Sequence, residues 1–157
     1  MNLNVPLFAL LVCSQQIRAT PLDKHAWTGP RVVFTAEQTA TLADRPFFLS
    51  ATDPKPPCWT VSNDIVERAD VGLLARIATI AGNEAASYGR QYFGLSRDGH
   101  RVVFVLGFCH SYYDQGNESW KHVPVSLLDA GTCAFGAEID PASAEVLRVD
   151  WGTPGPA

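Results

Sequence analysis

The chain has few charged residues and no long apolar stretch, and both shortages narrow the range of functions. Charged residues make up 18% of the 157 residues, and the net charge is −4. The sequence therefore lacks the basic footprint of a nucleic-acid-binding protein. Its apolar runs fall far short of the roughly 20 residues that span a bilayer, so we expect no integral membrane segment beyond an export signal.

Motifs for catalysis and for metal binding are also missing. No two cysteines have CxxC spacing, no histidines form an HExxH pair, and no serine lies in a GxSxG context. We therefore expect no catalytic residue, no cofactor and no metal. A metal site made of His110, Asp114 and His122 is the weaker alternative.

The N-terminus contains a candidate export signal. Residues 5–12 (VPLFALLV) form a short apolar core, and a signal peptidase could cut after Ser14 or after Ala19. No Lys or Arg precedes the core, which is unusual for such a signal. We predict that residues 1–20 are either a signal peptide or a disordered N-terminus, and that the protein is extracytoplasmic, either periplasmic or secreted.

The rest of the chain divides into three parts. Residues 21–57 form an irregular segment that contains a short strand near Val32, a short helix with Thr35 and Gln38 as a capping box, and a Pro-rich linker at 51–57. Residues 58–152 contain the periodic patterns of an α+β domain. Residues 153–157 (TPGPA) form a tail that we expect to be disordered.

One long amphipathic helix begins the domain. Ser62 is a good N-cap, and Gly82-Asn83 is a natural stop. Apolar residues recur between them at intervals of three or four, which places them on one helix face. That stripe consists of Val66, Ala69, Leu73, Ile77 and Ile80. We expect its middle residues, Leu73 and Ile77, to be buried against a sheet.

Strand patterns follow the helix. Residues 87–95 and 101–109 flank an Asp98-Gly99 turn, and the second of these segments is apolar on both faces, as in a central strand. Residues 123–128 read as an edge strand, and residues 133–139 and 145–151 as a hairpin around 140–143. The sequence predicts an α+β fold in which one main helix packs on a four- to five-stranded antiparallel sheet.

Several of these segments carry a resemblance. They are the Tyr-Phe-Gly strand at 92–94, the Phe-Cys strand end at 108–109, the Asp-x-Gly-x-Cys-x-Phe segment at 129–135 and the Asp-Pro-Ala-Ser hairpin at 140–143. Residues 59–152 resemble small uncharacterised exported bacterial proteins with a cystatin-like or PepSY-like arrangement of a helix and a meander. The chain lacks the Gln-x-Val-x-Gly loop of cystatins, so the resemblance does not imply inhibition of cysteine proteases.

Two of the four cysteines lie where neighbouring strands meet. Cys109 ends one strand and Cys133 begins the next, so we predict a disulfide between them. The competing hypothesis is a small hydrolase or thiol enzyme that uses Cys109 or Cys58 with a histidine. His110 is badly placed for that role, because adjacent residues of a strand point to opposite faces.

The loop at 110–122 between these cysteines is the candidate binding surface. It mixes aromatic rings with small polar groups, as adaptable binding loops do, and we select Tyr112, Tyr113 and Trp120 as its contact residues. Alternatively, these rings fold back and cap the sheet. We predict a non-catalytic binding or inhibitor-type module that contacts another protein through this loop. A structural envelope component is a further alternative.

Overall fold

The structure is a computed structural model that describes residues 27–42, 57–114, 116, 118–125 and 130–152. The candidate export signal, the Pro-rich linker before residue 57 and the C-terminal tail at 153–157 lie outside the described residues. The remaining segments form one α+β unit, in which a long helix packs on one face of a sheet.

The described residues form the following strands and helices. The strands are β1 (Arg31–Val33), β2 (Cys58–Trp59), β3 (Gly89–Arg97), β4 (His100–Phe108), β5 (Ala134–Ile139) and β6 (Val146–Trp151). The helices are α1 (Ala36–Leu42), α2 (Asn63–Ala81) and the one-turn α3 (His110–Tyr113), with 3-10 helices at Gly82–Ser87, Glu118–Lys121 and Gly131–Cys133.

The sheet is mixed, which corrects the prediction of four or five antiparallel strands. Within the described residues the sheet has six strands. Five of them lie in the order β1-β3-β4-β5-β6, and the sixth, β2, pairs with β3 beside β1. Strand β1 is parallel to β3, whereas every other pairing is antiparallel. The short strand predicted near Val32 is β1, but its parallel pairing with β3 was not predicted. Strand β2 contains two residues, too few to show the alternation that marks a strand in a sequence.

The predicted meander is present. Strand β4 lies between β3 and β5, as its two apolar faces required, and Asp98-Gly99 makes the turn between β3 and β4 with φ of 50° and 78°. Positive φ at both positions is the conformation that favours Asp-Gly in a two-residue hairpin. Residues 123–125 do not form the predicted strand; among the residues described, β5 takes the place beside β4.

Helix α2 provides one layer of the core. Val66, Ala69, Leu73 and Ile77 are all fully buried against the sheet, as predicted. Ile80, the last member of the stripe, is 55% exposed and corrects that part of the prediction. Ile80 lies one residue before the end of α2, beyond the part of the apolar stripe that packs on the sheet.

The opposite face of the sheet is covered by the segments around α1 and by the loop after β4. Phe34 and Leu42 pack there on Phe93, Phe104 and neighbouring apolar residues. The predicted capping box that starts α1 is confirmed. The Gln38 backbone N–H donates to the Thr35 hydroxyl (3.2 Å), and the Thr35 N–H donates to the Gln38 side-chain oxygen (2.8 Å). Residues 27–42 thus pack on the same sheet as the later strands.

Candidate functional site

The two ends of the loop that follows β4, which we call its root, are joined to each other. Cys109 lies next to the end of β4 and Cys133 next to the start of β5, and these strands are antiparallel neighbours. Their Cα atoms are 4.8 Å apart, and their sulfur atoms lie at disulfide-bonding distance, as predicted. The Cys109 N–H also donates to the Cys133 carbonyl (2.8 Å). The two ends of the excursion are therefore fixed to one point of the sheet.

Aromatic rings fasten the described part of the loop to the sheet. The Phe108 ring, at the end of β4, is surrounded by the rings of Tyr112, Tyr113 and Trp120, with centroids 5.4, 6.1 and 5.7 Å away. Trp120 is only 6% exposed, whereas Tyr112 and Tyr113 are half-buried. The structure thus brings the three predicted contact residues together, with Trp120 directed inward and the two tyrosines reaching the surface.

A buried glutamine side chain holds the second half of the loop. Gln91 on β3 has no exposed surface. Its amide nitrogen donates to the carbonyls of Trp120 and Val123, the latter at 2.8 Å, and its oxygen accepts from the Val125 N–H at 2.7 Å. The Tyr113 hydroxyl adds a bond to the Ser87 carbonyl (2.6 Å). Breaking any of the Gln91 bonds would leave a buried polar group unpaired, which costs about 1–3 kcal/mol.

The outer side of the same loop is exposed and carries charges of both signs. His110 Nδ1 lies 3.9 Å from an Asp114 carboxylate oxygen, and Lys121 Nζ lies 2.5 Å from Glu118 Oε1. The apolar Val123 is 38% exposed beside them. The exposed residues of the described part of the loop are His110, Ser111, Asp114, Gly116, Glu118, Ser119, His122 and Val123.

A second cluster, missed by the sequence analysis, lies between α2 and β3. Asp70 on α2 is 6% exposed. Its carboxylate lies 3.2 Å from Arg31 NH1 and 3.5 Å from Arg90 Nε, and it accepts a bond from the Tyr92 hydroxyl. The signal was present in the sequence: Asp70 follows Val66 by four residues and precedes Leu73 by three, which places it within the apolar stripe.

The charges of this cluster are compensated within it. Burial raises the pKa of Tyr92 well above its usual value, so its hydroxyl stays protonated and donates to Asp70. The Trp27 ring covers the Arg90 guanidinium at 3.8 Å, and the Trp27 indole N–H donates to the Asp70 carbonyl (2.9 Å). These contacts join the segment before β1 to both α2 and β3, which is a structural role.

The cysteines offer little support for thiol catalysis. Cys109 is paired with Cys133, so its sulfur is not a nucleophile while the disulfide is intact. Burial raises the pKa of the Cys58 thiol, which lowers the fraction of reactive thiolate at neutral pH. The described segments contain no group of three His, Cys, Asp or Glu side chains that could hold a metal ion.

None of the helices in the described segments is long and apolar enough to cross a membrane. Comparisons of the chain with family models, with curated proteins and with solved structures found no match.

Proposed function

We propose that this protein is an extracytoplasmic, non-catalytic binding module that contacts another protein through its 110–122 loop. The observation that carries the proposal is the way the loop is held. A disulfide fixes its root, while Gln91 and Trp120 fix its inner side. Its outer side is left exposed. A loop ordered in advance loses less conformational entropy on binding than a free loop does.

The chemistry of the exposed side favours a protein partner. Half-exposed tyrosine rings next to small hydroxyl groups and paired charges are typical of adaptable protein-binding loops. Tyr112 and Tyr113 are the proposed contact anchors, because their rings reach the surface while resting on Phe108. The net charge of −4 argues against nucleic acid. Trp120 would contribute by holding the loop rather than by meeting the partner.

Two further observations support an extracytoplasmic location and the finer fold assignment. Disulfides persist mainly in oxidising compartments, and the pair at 109 and 133 lies at bonding distance. The apolar core at 5–12 provides a candidate export signal. We also keep the cystatin-like arrangement as a proposal, because one long helix precedes and packs on an antiparallel meander.

Site-specific crosslinking tests the proposed function. A photoreactive residue is introduced at Ser111, on the exposed side of the loop, and at Arg76, which is exposed on α2. Both chains are irradiated in the envelope fraction and the medium of the native host. A discrete adduct formed at 111 and not at 76 is expected. Equal adducts at both positions, or none at 111, would contradict the proposal.

Variants of the aromatic loop residues distinguish contact with a partner from a structural role in covering the sheet. If the rings meet the partner, replacing both Tyr112 and Tyr113 with Ser should abolish the adduct formed at 111. It should lower the melting temperature less than Trp120→Ala does, because the two tyrosines are half-buried whereas Trp120 is buried. Trp120→Ala serves as the capping control, because truncating a buried aromatic ring costs about 3–5 kcal/mol. If the tyrosine variant is as destabilised as the Trp120 variant, the two tyrosines belong to the fold and the proposed contact is wrong.

A further inference from the structure

Strand β6 ends the sheet. Within the described segments, β6 pairs with β5 on one side and with no strand on the other. An edge strand presents unpaired N–H and C=O groups to any second strand of suitable shape and charge. Leu147, on this strand, is 54% exposed, which is high for a large apolar side chain.

The register of β6 on β5 shows which backbone groups face outward. The Gly152 N–H donates to the Ala134 carbonyl (3.0 Å), so residue 152 bonds toward β5. Bonded and non-bonded pairs alternate along an antiparallel ladder. Positions 150 and 148 therefore also bond toward β5, whereas Trp151 and Val149 direct their N–H and C=O groups outward. A bulge interrupts the register at Leu147, because β5 residues Glu138 and Ile139 pair with Arg148 and Val146.

Two copies of β6 could pair antiparallel about a two-fold axis at different residues, and the charges on the strand favour some of these axes over others. Arg148 and Asp150 lie two residues apart, with Arg148 Nε 2.6 Å from Asp150 Oδ2, and both side chains are substantially exposed. A two-fold axis at position 148 would place Arg148 against its own copy, and an axis at position 150 would do the same with Asp150. Like charges directly opposite each other are destabilising.

An axis at Val149 gives the complementary arrangement. Val149 bonds to its own copy through the outward backbone groups, and Arg148 lies opposite Asp150 of the second copy on both sides of the axis. These charge pairs fall at non-hydrogen-bonded positions, where opposite side chains are closest. The bulge at Leu147 ends the regular register there, so the pairing that the register supports is confined to residues 148–150.

We propose that two copies of the chain pair antiparallel along β6, about a two-fold axis at Val149, and form one continuous sheet. This surface is separate from the 110–122 loop, and the inference does not depend on the proposed function. The strand is short and the contact is small, so the dimer should be weak and concentration-dependent.

Charge reversal tests the register in the full chain, by sedimentation over a range of concentrations. Arg148→Asp alone and Asp150→Arg alone should each raise the dimer dissociation constant about tenfold or more, because each places like charges opposite each other. An equimolar mixture of these two variants should form a heterodimer, because both opposed pairs are then complementary. The double variant Arg148→Asp/Asp150→Arg should dimerise like the unchanged chain.

Two controls separate an effect on dimerisation from a general effect of charge and from a loss of folding. Arg76→Asp makes the same change of charge on the exposed side of α2 and should leave dimerisation unchanged. The double variant retains an ion pair within β6, so its circular dichroism spectrum and melting temperature show whether the reversed strand folds. A chain that stays monomeric at about millimolar concentration, single variants that dimerise like the unchanged chain, or a mixture that forms no heterodimer would each overturn the proposal.

Discussion

Two buried polar side chains, Asp70 and Gln91, join segments that are distant in the sequence. Asp70 connects Arg31 near the start of β1 to Arg90 and Tyr92 on β3. Removing one partner of a buried ion pair is expensive, about 3–5 kcal/mol, because the other charge is left uncompensated. Gln91 on β3 connects the sheet to the loop after β4 in the same way, through hydrogen bonds of its neutral side-chain amide. These residues fix which surface segments lie on the sheet.

Tyr92 should make stability depend on pH in the alkaline range. Its pKa is raised well above the usual value by burial, and it is fully buried, whereas the unfolded chain loses this proton near pH 10. The unfolded state therefore binds fewer protons above pH 10, so the stabilisation present in full below pH 10 declines as the pH rises. At pH 10.5 the decline from Tyr92 should be on the order of 1 kcal/mol, measurable by urea unfolding at pH 8 and pH 10.5.

Tyr92→Phe isolates this contribution. The variant should lose about 1.5–3 kcal/mol at pH 8, because Asp70 loses a hydrogen bond to its charged group. Its further loss between pH 8 and pH 10.5 should be smaller than that of the unchanged chain. Part of the decline will remain, because burial also raises the pKa values of Tyr88 and Tyr113. The same alkaline loss in both chains would show that Tyr92 ionises as freely in the folded state as in the unfolded state.

At the residue scale, sequence reasoning succeeded where the partner was local. The Thr35–Gln38 capping box and the Asp98-Gly99 turn depend on residues within a few positions of each other, and both are confirmed. Gln91 was not predicted as a buried anchor. Its partners lie 29 to 34 residues away, and nothing local distinguishes a buried strand glutamine from an exposed one.

At the scale of the element, α2 is stabilised by packing on the sheet. Leu73 and Ile77 have no exposed surface, so replacing either with Ala should cost about 2–5 kcal/mol in free energy of unfolding. Ile80 provides a matched control from the same helix face, because it is 55% exposed, and Ile80→Ala should change stability by no more than about 0.5 kcal/mol. Denaturant unfolding checks all three variants. An unchanged midpoint in Leu73→Ala would contradict the docking of α2.

The strands show which elements the sequence patterns predict and which they do not. The long strands β3 and β4 were predicted because each contains nine residues around a clear turn. Strand β1 pairs in parallel with residues 90–92, far along the chain, and a parallel pairing leaves no turn signal between the strands. The apolar residues around Val125 were read as strand, but there the backbone N–H donates to the Gln91 side chain instead of to a neighbouring strand.

At the scale of the whole molecule, the two faces of the sheet are covered in different ways. One face carries α2, a single regular layer. The other is covered by α1 and by the loop after β4, which are short pieces held by individual contacts. The sequence predicted the first layer because a helix has a period. For the loop, the sequence left two alternatives open: its aromatic rings could cover the sheet or bind a partner. Aromatic residues serve in both roles, and only the burial of each ring in the structure distinguishes the two.

The disulfide should contribute to the stability of the whole molecule while the loop keeps its own anchors. Closing the segment from Cys109 to Cys133 stabilises by about 3.5 kcal/mol in the chain-entropy model, so the double variant Cys109→Ser/Cys133→Ser should lose about that much in free energy of unfolding. Hydrogen exchange at residues 118–125 should stay slow relative to an unstructured loop, because the Gln91 and Trp120 contacts remain.

Thiol labelling checks the bond itself in protein produced under oxidising conditions. Cys58 should react slowly in the native state, because it is partly buried and its thiol pKa is raised. Peptides that contain Cys109 and Cys133 should be labelled only after reduction, and should be found joined to each other beforehand. Ready alkylation of Cys109 without reductant would show that the loop root is open. The fixed backbone on which the proposed binding surface depends would then have to come from Gln91 and Trp120 alone.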